Sequence, residues 1–213
     1  MLDFLITSFI TLVVVIDPVG IAPLFIGLSP RASRAQRRSM AMRAVLIAAI
    51  VLYVFAAGGM WLLGALGVSL AAFRIAGGLL LFLLAVDMIL ARATGLRSTT
   101  GEEDEEARHH QDISVFPLAI PLLAGPGAMT SLVLLMARTE GDPLRMWSVL
   151  GMLAVVLLLC LLTLLGANQV TRLLGLTGAN VVGRVLGIIL AALAVQFVLD
   201  GLAGAGLIEW VRA

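Results

Sequence analysis

The stretch VVVIDPVGIAPLF, residues 13–25, sets an aspartate, a glycine and two prolines inside an otherwise unbroken apolar run. A straight helix through it loses a backbone donor at Pro18 and again at Pro23, and each ring displaces the carbonyl four residues earlier, Val14 and Val19. Inside hydrocarbon such freed groups are costly unless protein, water or a ligand satisfies them. Composition says that hydrocarbon is the setting. Of 213 residues, 61% are hydrophobic and 13% charged, and the mean hydropathy is +1.11, which leaves too little polar surface to cover a water-soluble fold. Apolar runs of about 20 residues, enough to cross a ~30 Å hydrocarbon layer at 1.5 Å per residue, recur at Phe4–Phe25, Arg43–Leu66, Ala72–Ala91, Ile113–Met136, Met146–Ala167 and Val181–Ala203. The ten-residue alternation of a membrane β-barrel is absent. The expected fold is therefore an all-α integral membrane protein with six transmembrane helices.

The N-terminus, MLDFLITSFITLVVVI, lacks the basic region and small-residue cleavage site of a secretory signal, so it is expected to be a retained first helix. The single cysteine, Cys160, lies within the fifth run and suits packing, since one cysteine builds no intrachain disulfide. All fourteen basic residues are arginines, and their loop distribution sets an orientation. With the N-terminus outside, Arg31, Arg34, Arg37, Arg38, Arg43, Arg92, Arg97, Arg108, Arg172 and Arg184 lie on the cytoplasmic side, against Arg74, Arg138, Arg145 and Arg212 outside. Both termini are thus expected on the outer side of the membrane. The run GEEDEEARHHQD, residues 101–112, reads as a solvated linker. Its acids, with His109 and His110, make a poor metal site, because adjacent histidines do not share a helix face. No metal and no cofactor are expected.

The two halves look like copies of one design. Asp17-Pro18 in the first run aligns with Gly125-Pro126 in the fourth, and FRIAGGLLLFLLAVD, residues 73–87, with GRVLGIILAALAVQ, residues 183–196. The expected units are residues 1–91, a linker over 92–112, and residues 113–213. Three spans per copy is an odd number, so the second copy enters the membrane in the opposite sense. Inverted repeats of this kind recur in secondary transporters, with the substrate held near the midplane at discontinuous helices.

The fourth run, ISVFPLAIPLLAGPGAMTSL, is interrupted even more heavily than the first, by Pro117, Pro121, Gly125, Pro126 and Gly127. Both breaks read as helix restarts near the membrane middle, with Asp17 or Gly125 as N-cap and Pro18 or Pro126 at the first helical position. A restart offers free N–H groups and a partial positive charge to a carboxylate. Counting 1.5 Å per residue from either face brings the two restarts together somewhat beyond the middle. The candidate binding residues are Asp17, Pro18, Val19 and Gly20 from the first break, with Ala124, Gly125, Pro126, Gly127, Ala128, Thr130 and Ser131 from the second. Asp17 is in addition the candidate ligand for a coupling proton or ion, since an intramembrane carboxylate ordinarily faces a cavity or a partner. Elsewhere, Asp87 with Arg92 reads as an interfacial pair, Asp200 as a residue reaching water, and Gln196 as a candidate lining residue. Gly77, Gly78, Gly183 and Gly187 read as sites of close helix contact.

At DPVGIAPLF and FPLAIPLLAGPGAMTSL the sequence resembles the MarC family of bacterial inner-membrane proteins, also called SnatA or UPF0056. The likeness spans nearly the whole chain. Asp17, Pro18, Gly20 and Pro23 match the first motif, and Pro117, Pro121, Gly125, Pro126 and Gly127 the second. It implies transport of small neutral amino acids, which has been assigned to some members, with glycine, alanine or threonine export among the roles. Many members carry Asn after the motif glycine, where this chain has Ile21, a departure that bears on substrate or coupling ion.

The leading expectation is an exporter of a small neutral amino acid, coupled to protons or sodium, working by alternating access. Its expected partners are that substrate, the coupling ion and membrane lipid, with self-association as a further candidate and nucleic acid not among them. Efflux of another small metabolite or drug keeps the architecture with different cargo, and a non-transporting envelope protein is a further alternative. An enzyme is not expected, because the chain has no G-x-S-x-G or H-E-x-x-H and both histidines lie in the linker.

Overall fold

The computed structural model describes residues 1–91 and 112–208. The linker acids at 102–106, His109, His110, Arg92, Arg97, Arg108 and Arg212 therefore lie outside the described residues. Every regular element described is helical: α1 Leu2–Ile16, α2 Ile21–Leu28, α3 Arg34–Ala65, α4 Leu70–Leu90, α5 Ser114–Leu123, α6 Pro126–Ala137, α7 Pro143–Leu165 and α8 Ala167–Gly204. Five stretches are long and apolar enough to span a membrane, namely Leu2–Leu28, Arg34–Ala65, Leu70–Leu90, Pro143–Leu165 and Thr177–Gly204. The pair α5 and α6, bent by 51°, makes the sixth. Six spans were expected, and the two interrupted ones are the first and fourth.

Several helices begin earlier than their apolar runs. α3 starts at Arg34 because Ser33 and Gln36 form a reciprocal capping box, so four arginines expected in a loop sit on its first turns. Asp142 caps α7, accepting from the Leu144 N–H at 2.9 Å, with Pro143 at the first helical position. α8 reaches back to Ala167 across a bend at Gly175, whose φ of 62° suits a residue without a Cβ.

The interrupted spans form the core. The most apolar window of Leu2–Leu28 is 56% buried, against 28–33% in the other four unbroken spans. In α6, Thr130 to Met136 are buried on every side, the pattern of a helix enclosed by others. α3, α4, α7 and α8 expose Leu46, Ile50, Leu79, Leu83, Leu158 and Ile188, the faces suited to lipid. Trp61 near the end of α3 and Trp147 at the start of α7 are both exposed, as interfacial anchors are.

α4 and α8 pack most closely, as an antiparallel pair with contacts seven residues apart. A Cβ on Gly201 would lie 2.9 Å from the Ala71 carbonyl oxygen, one on Gly78 2.7 Å from that of Ala194, and one on Gly187 3.1 Å from that of Ala85. Each layer sets a glycine against an alanine, so the backbones approach to the distance of Cα–H···O contacts. Gly77 also serves close contact, against the Thr130 methyl of α6. Gly183 does not. It faces open space, which corrects its expected role.

Candidate functional site

At the first break α1 ends in Asp17, whose φ of 53° and ψ of 69° turn the chain. Pro18 has no N–H to return to Val14. The Gly20 N–H, which would have reached Ile16, instead donates to Asp17 Oδ1 at 3.0 Å. The Asp17 carbonyl accepts from the Ile21 N–H at 3.3 Å. Regular helix resumes only at Ile21, three residues later than the expected restart at Pro18, and Gly20 rather than Asp17 immediately precedes it. Asp17 nonetheless makes the two bonds of a cap, one through its carboxylate and one through its carbonyl. Glycine suits position 20, because a Cβ there would meet Asp17 Oδ2 and push the carboxylate off its bond.

The second break has a different cause. The residue before a proline is pushed out of helical geometry, and Phe116 and Ile120, ahead of Pro117 and Pro121, are extended at φ,ψ of −126°,130° and −129°,123°. Wide i→i+5 bonds bridge them, Leu118 N–H to Ile113 at 3.2 Å and Ala124 N–H to Ala119 at 2.8 Å. α6 then starts as expected, with Gly125 as N-cap and Pro126 at the first position. The Gly127 and Ala128 N–H groups, at the second and third positions, have no partner within their own helix. A side chain at Gly125 would strike the Pro121 carbonyl.

The breaks are neighbours. A Cβ on Gly127 would lie 3.5 Å from Val15 of α1, and about as close to Leu81 and Leu84 of α4. A cavity of about 60 Å³ lies there, lined by Val15, Leu80, Leu84, Pro121, Leu122 and Gly125 to Ala128. Of the expected site residues it takes in Gly125, Pro126, Gly127 and Ala128. Ala124 and Ser131 are buried beside it without lining it, and Thr130 turns its methyl onto Gly77. Asp17, 5% exposed, lies two residues beyond Val15 and is not in the lining; neither are Pro18, Val19 and Gly20.

Among the described residues four buried hydroxyls lack a hydrogen-bond partner, three on the interrupted spans and the fourth, Thr171, on α8. Ser29, Thr139, Ser148 and Thr163 each donate back to a carbonyl of their own chain at 2.6–2.7 Å, as helical hydroxyls usually do. Ser8 and Thr11 of α1 and Ser131 of α6, all 0–1% exposed, have buried oxygens with no hydrogen-bond partner. Each such group costs ~1–3 kcal/mol of desolvation. Ser131 was an expected lining residue. Ser8 and Thr11 were missed, and their only sequence signal is their i, i+3 spacing on one face of an apolar helix.

Toward one end of the bundle lies a larger cavity of about 680 Å³, lined by Phe4, Arg74, Ala137, Arg138, Glu140, Arg145, Asp200, Ala203 and Gly204. Arg138 Nη2 donates to Asp200 Oδ2 at 2.6 Å and its guanidinium lies 5.1 Å from the Phe197 ring centroid. Gln196 Nε2 donates to the other Asp200 oxygen at 2.8 Å. Asp200, expected to reach water, does so only at the wall of this cavity, locked into the pair with its side chain 10% exposed. Its position one turn after Gln196, opposite an arginine from another helix, explains the difference. At the far end Arg37 donates to the Ser29 carbonyl at 2.7 and 3.1 Å, closing α2. There Asp112 also meets Arg43 at 2.8 Å. The Asp112 carboxyl is held below its usual range chiefly by the Ser114 hydroxyl and N–H, with Arg43 adding to them.

A family model described as MarC family integral membrane protein matches residues 2–206. The chain belongs to the MarC family. This MarC protein is 40% identical over 202 residues to a UPF0056 membrane protein of Archaeoglobus fulgidus, covering 95% of this chain and 93% of the relative. It is 37% identical over 208 residues to one from Methanocaldococcus jannaschii, covering 96% and 98%. Against the UPF0056 membrane protein YhcE of Escherichia coli it is 34% identical over 196 residues, covering 92% and 90%. No solved structure matches it. The family and the apolar helices together make the MarC chain a multi-pass integral membrane protein.

Proposed function

We propose that this MarC protein is a secondary transporter of small neutral amino acids of the glycine, alanine and threonine class, exporting them by alternating access with proton or sodium coupling. The observation that carries this reading is the cavity where two interrupted helices meet, lined by Gly125 to Ala128 at the N-terminus of α6, whose first N–H groups have no partner within their own helix. At ~60 Å³ it is far below the size of drug-binding pockets, so only a small solute suits it without movement of the walls. A carboxylate suits the N-terminus of α6. Asp17, at the adjoining break, is the candidate coupling residue, and its bond to the Gly20 N–H ties any change in its charge to the geometry of the break. With both termini outside an inner membrane, as the arginine distribution favours, the large cavity opens to the periplasm.

The test is thermal stabilisation of purified protein by glycine, alanine and threonine, with and without sodium and across pH, followed by uptake in proteoliposomes. Stabilisation and counterflow by at least one of the three are expected, both abolished by Gly127→Leu, whose side chain fills the space between Val15, Leu81 and Leu84. Equal stabilisation of wild type and G127L, or no solute movement at all, defeats the reading.

A further inference from the structure

We propose that the α1/α6 seam is one half of the solute's route, with the Ser8, Thr11 and Ser131 hydroxyls as its polar lining between the large cavity and the breaks. This rests on the transport reading above and adds where the solute passes and what it touches.

The seam is fixed at both ends. Val15 meets Gly127 at the breaks. Phe4, eleven residues earlier on α1, and Arg138, eleven residues later on the α6 side, both line the large cavity. α1 and α6 therefore run antiparallel between the same two levels. Thr11 lies four residues before Val15 and Ser131 four after Gly127, so both stand about 6 Å from the breaks at a rise of 1.5 Å per residue. Ser8 lies about 4.5 Å further toward the large cavity. All three are buried without hydrogen-bond partners, a condition shared among the described residues only by Thr171 near the start of α8, whereas Ser29, Thr139, Ser148 and Thr163 bond back to their own chain. A hydroxyl both donates and accepts, so this file offers partners to the carboxylate and to the ammonium of a zwitterion. On this reading the route is closed here, with its polar groups buried against protein. Parting of α1 from α6 lets water and then solute reach them. The Arg138–Asp200 pair and the Arg145 guanidinium, 5.8 Å from the Phe4 ring centroid, stand at the wide end, holding α6 to α8 and α7 to α1.

The test uses full-length protein in sealed vesicles, in a Cys160→Ala background, with single cysteines at Ser8, Thr11 and Ser131. Ile6→Cys and Ile10→Cys, on the exposed apolar face of α1, are the controls. A charged, membrane-impermeant methanethiosulfonate is added to each side in turn. Labelling from one side only is expected, faster at Ser8 than at Thr11 and Ser131, which stand at one level, and with the controls unlabelled. Alanine or glycine is expected to slow labelling at Thr11 and Ser131. Labelling without such protection supports the route while removing the amino-acid cargo. Three cysteines as inert as the controls overturn the route and leave the cargo to the binding assay. Thr11→Val supplies a second arm that needs no new thiol. It keeps the shape and removes only an unpaired hydroxyl, so thermal stability is expected unchanged or raised while uptake falls about tenfold. Lower stability with unchanged uptake overturns the assignment.

Discussion

Asp17 combines a positive φ, deep burial and a capping bond, and its carboxylate and its charge can be separated by experiment. Asparagine keeps an acceptor oxygen and tolerates the left-handed region. Asp17→Asn is therefore expected to shift folding stability by less than about 0.5 kcal/mol, whereas Asp17→Ala, which loses the cap, costs about 1 kcal/mol. Coupled uptake in proteoliposomes is expected to vanish in both. Retained coupling in D17N would remove the charge from the mechanism and leave Asp17 a structural cap. Gly20→Ala should resemble D17A, since the added methyl drives the carboxylate off the Gly20 N–H. Thermal denaturation in detergent ranks all three.

Among elements, the α4/α8 seam makes the sharpest prediction. Gly78 faces the Ala194 carbonyl and Val198, while Gly58 and Gly183 have nothing within 4 Å. Gly78→Leu is expected to destabilise by roughly 2–3 kcal/mol or more through overpacking, and Gly183→Ala to be neutral or mildly stabilising. Melting curves of the two variants check the contrast. The sequence made much of this level readable. Run length announced six spans, and Gly125-Pro126 marked the start of α6 in the right place, because a proline at the first helical turn is a local signal. The first restart was misplaced because Asp-Pro announces a cap, whereas the chain turns through a positive φ at Asp17 and regular helix resumes only at Ile21. Nor does an apolar run reveal that α3 begins nine residues early: that lay in the Ser33–Gln36 spacing, inside what read as a basic loop.

For the whole molecule, the Arg138–Asp200 pair is a tie across the large cavity. Arg138→Gln leaves Asp200 with Gln196 alone and is expected to cost about 2 kcal/mol. Adding Asp200→Asn should recover part of that loss, and a double-mutant cycle on melting temperature reads the coupling. The proposed placement predicts that a tag at Met1 and a cysteine in the linker of residues 92–112 react from opposite faces of the membrane. Reaction from the same face would contradict it. This cavity was hardly legible beforehand. Gln196 was noticed as a lining candidate, but its pairing through Asp200 to an arginine 62 positions away is a product of assembly, which one-dimensional spacing does not carry.

The glycine and alanine ladder joining α4 to α8 has a mechanical corollary. Those two rods lie in opposite halves of the chain, yet at each of three consecutive levels a glycine of one comes so near an alanine carbonyl of the other that an added methyl would crowd it. On the transport reading proposed above, a pair riveted along that line does not open by swinging one half of the chain away from the other. Gating then falls to the short half-rods on either side of the rivets, so the boundary between moving and stationary parts cuts through each half of the chain rather than between them.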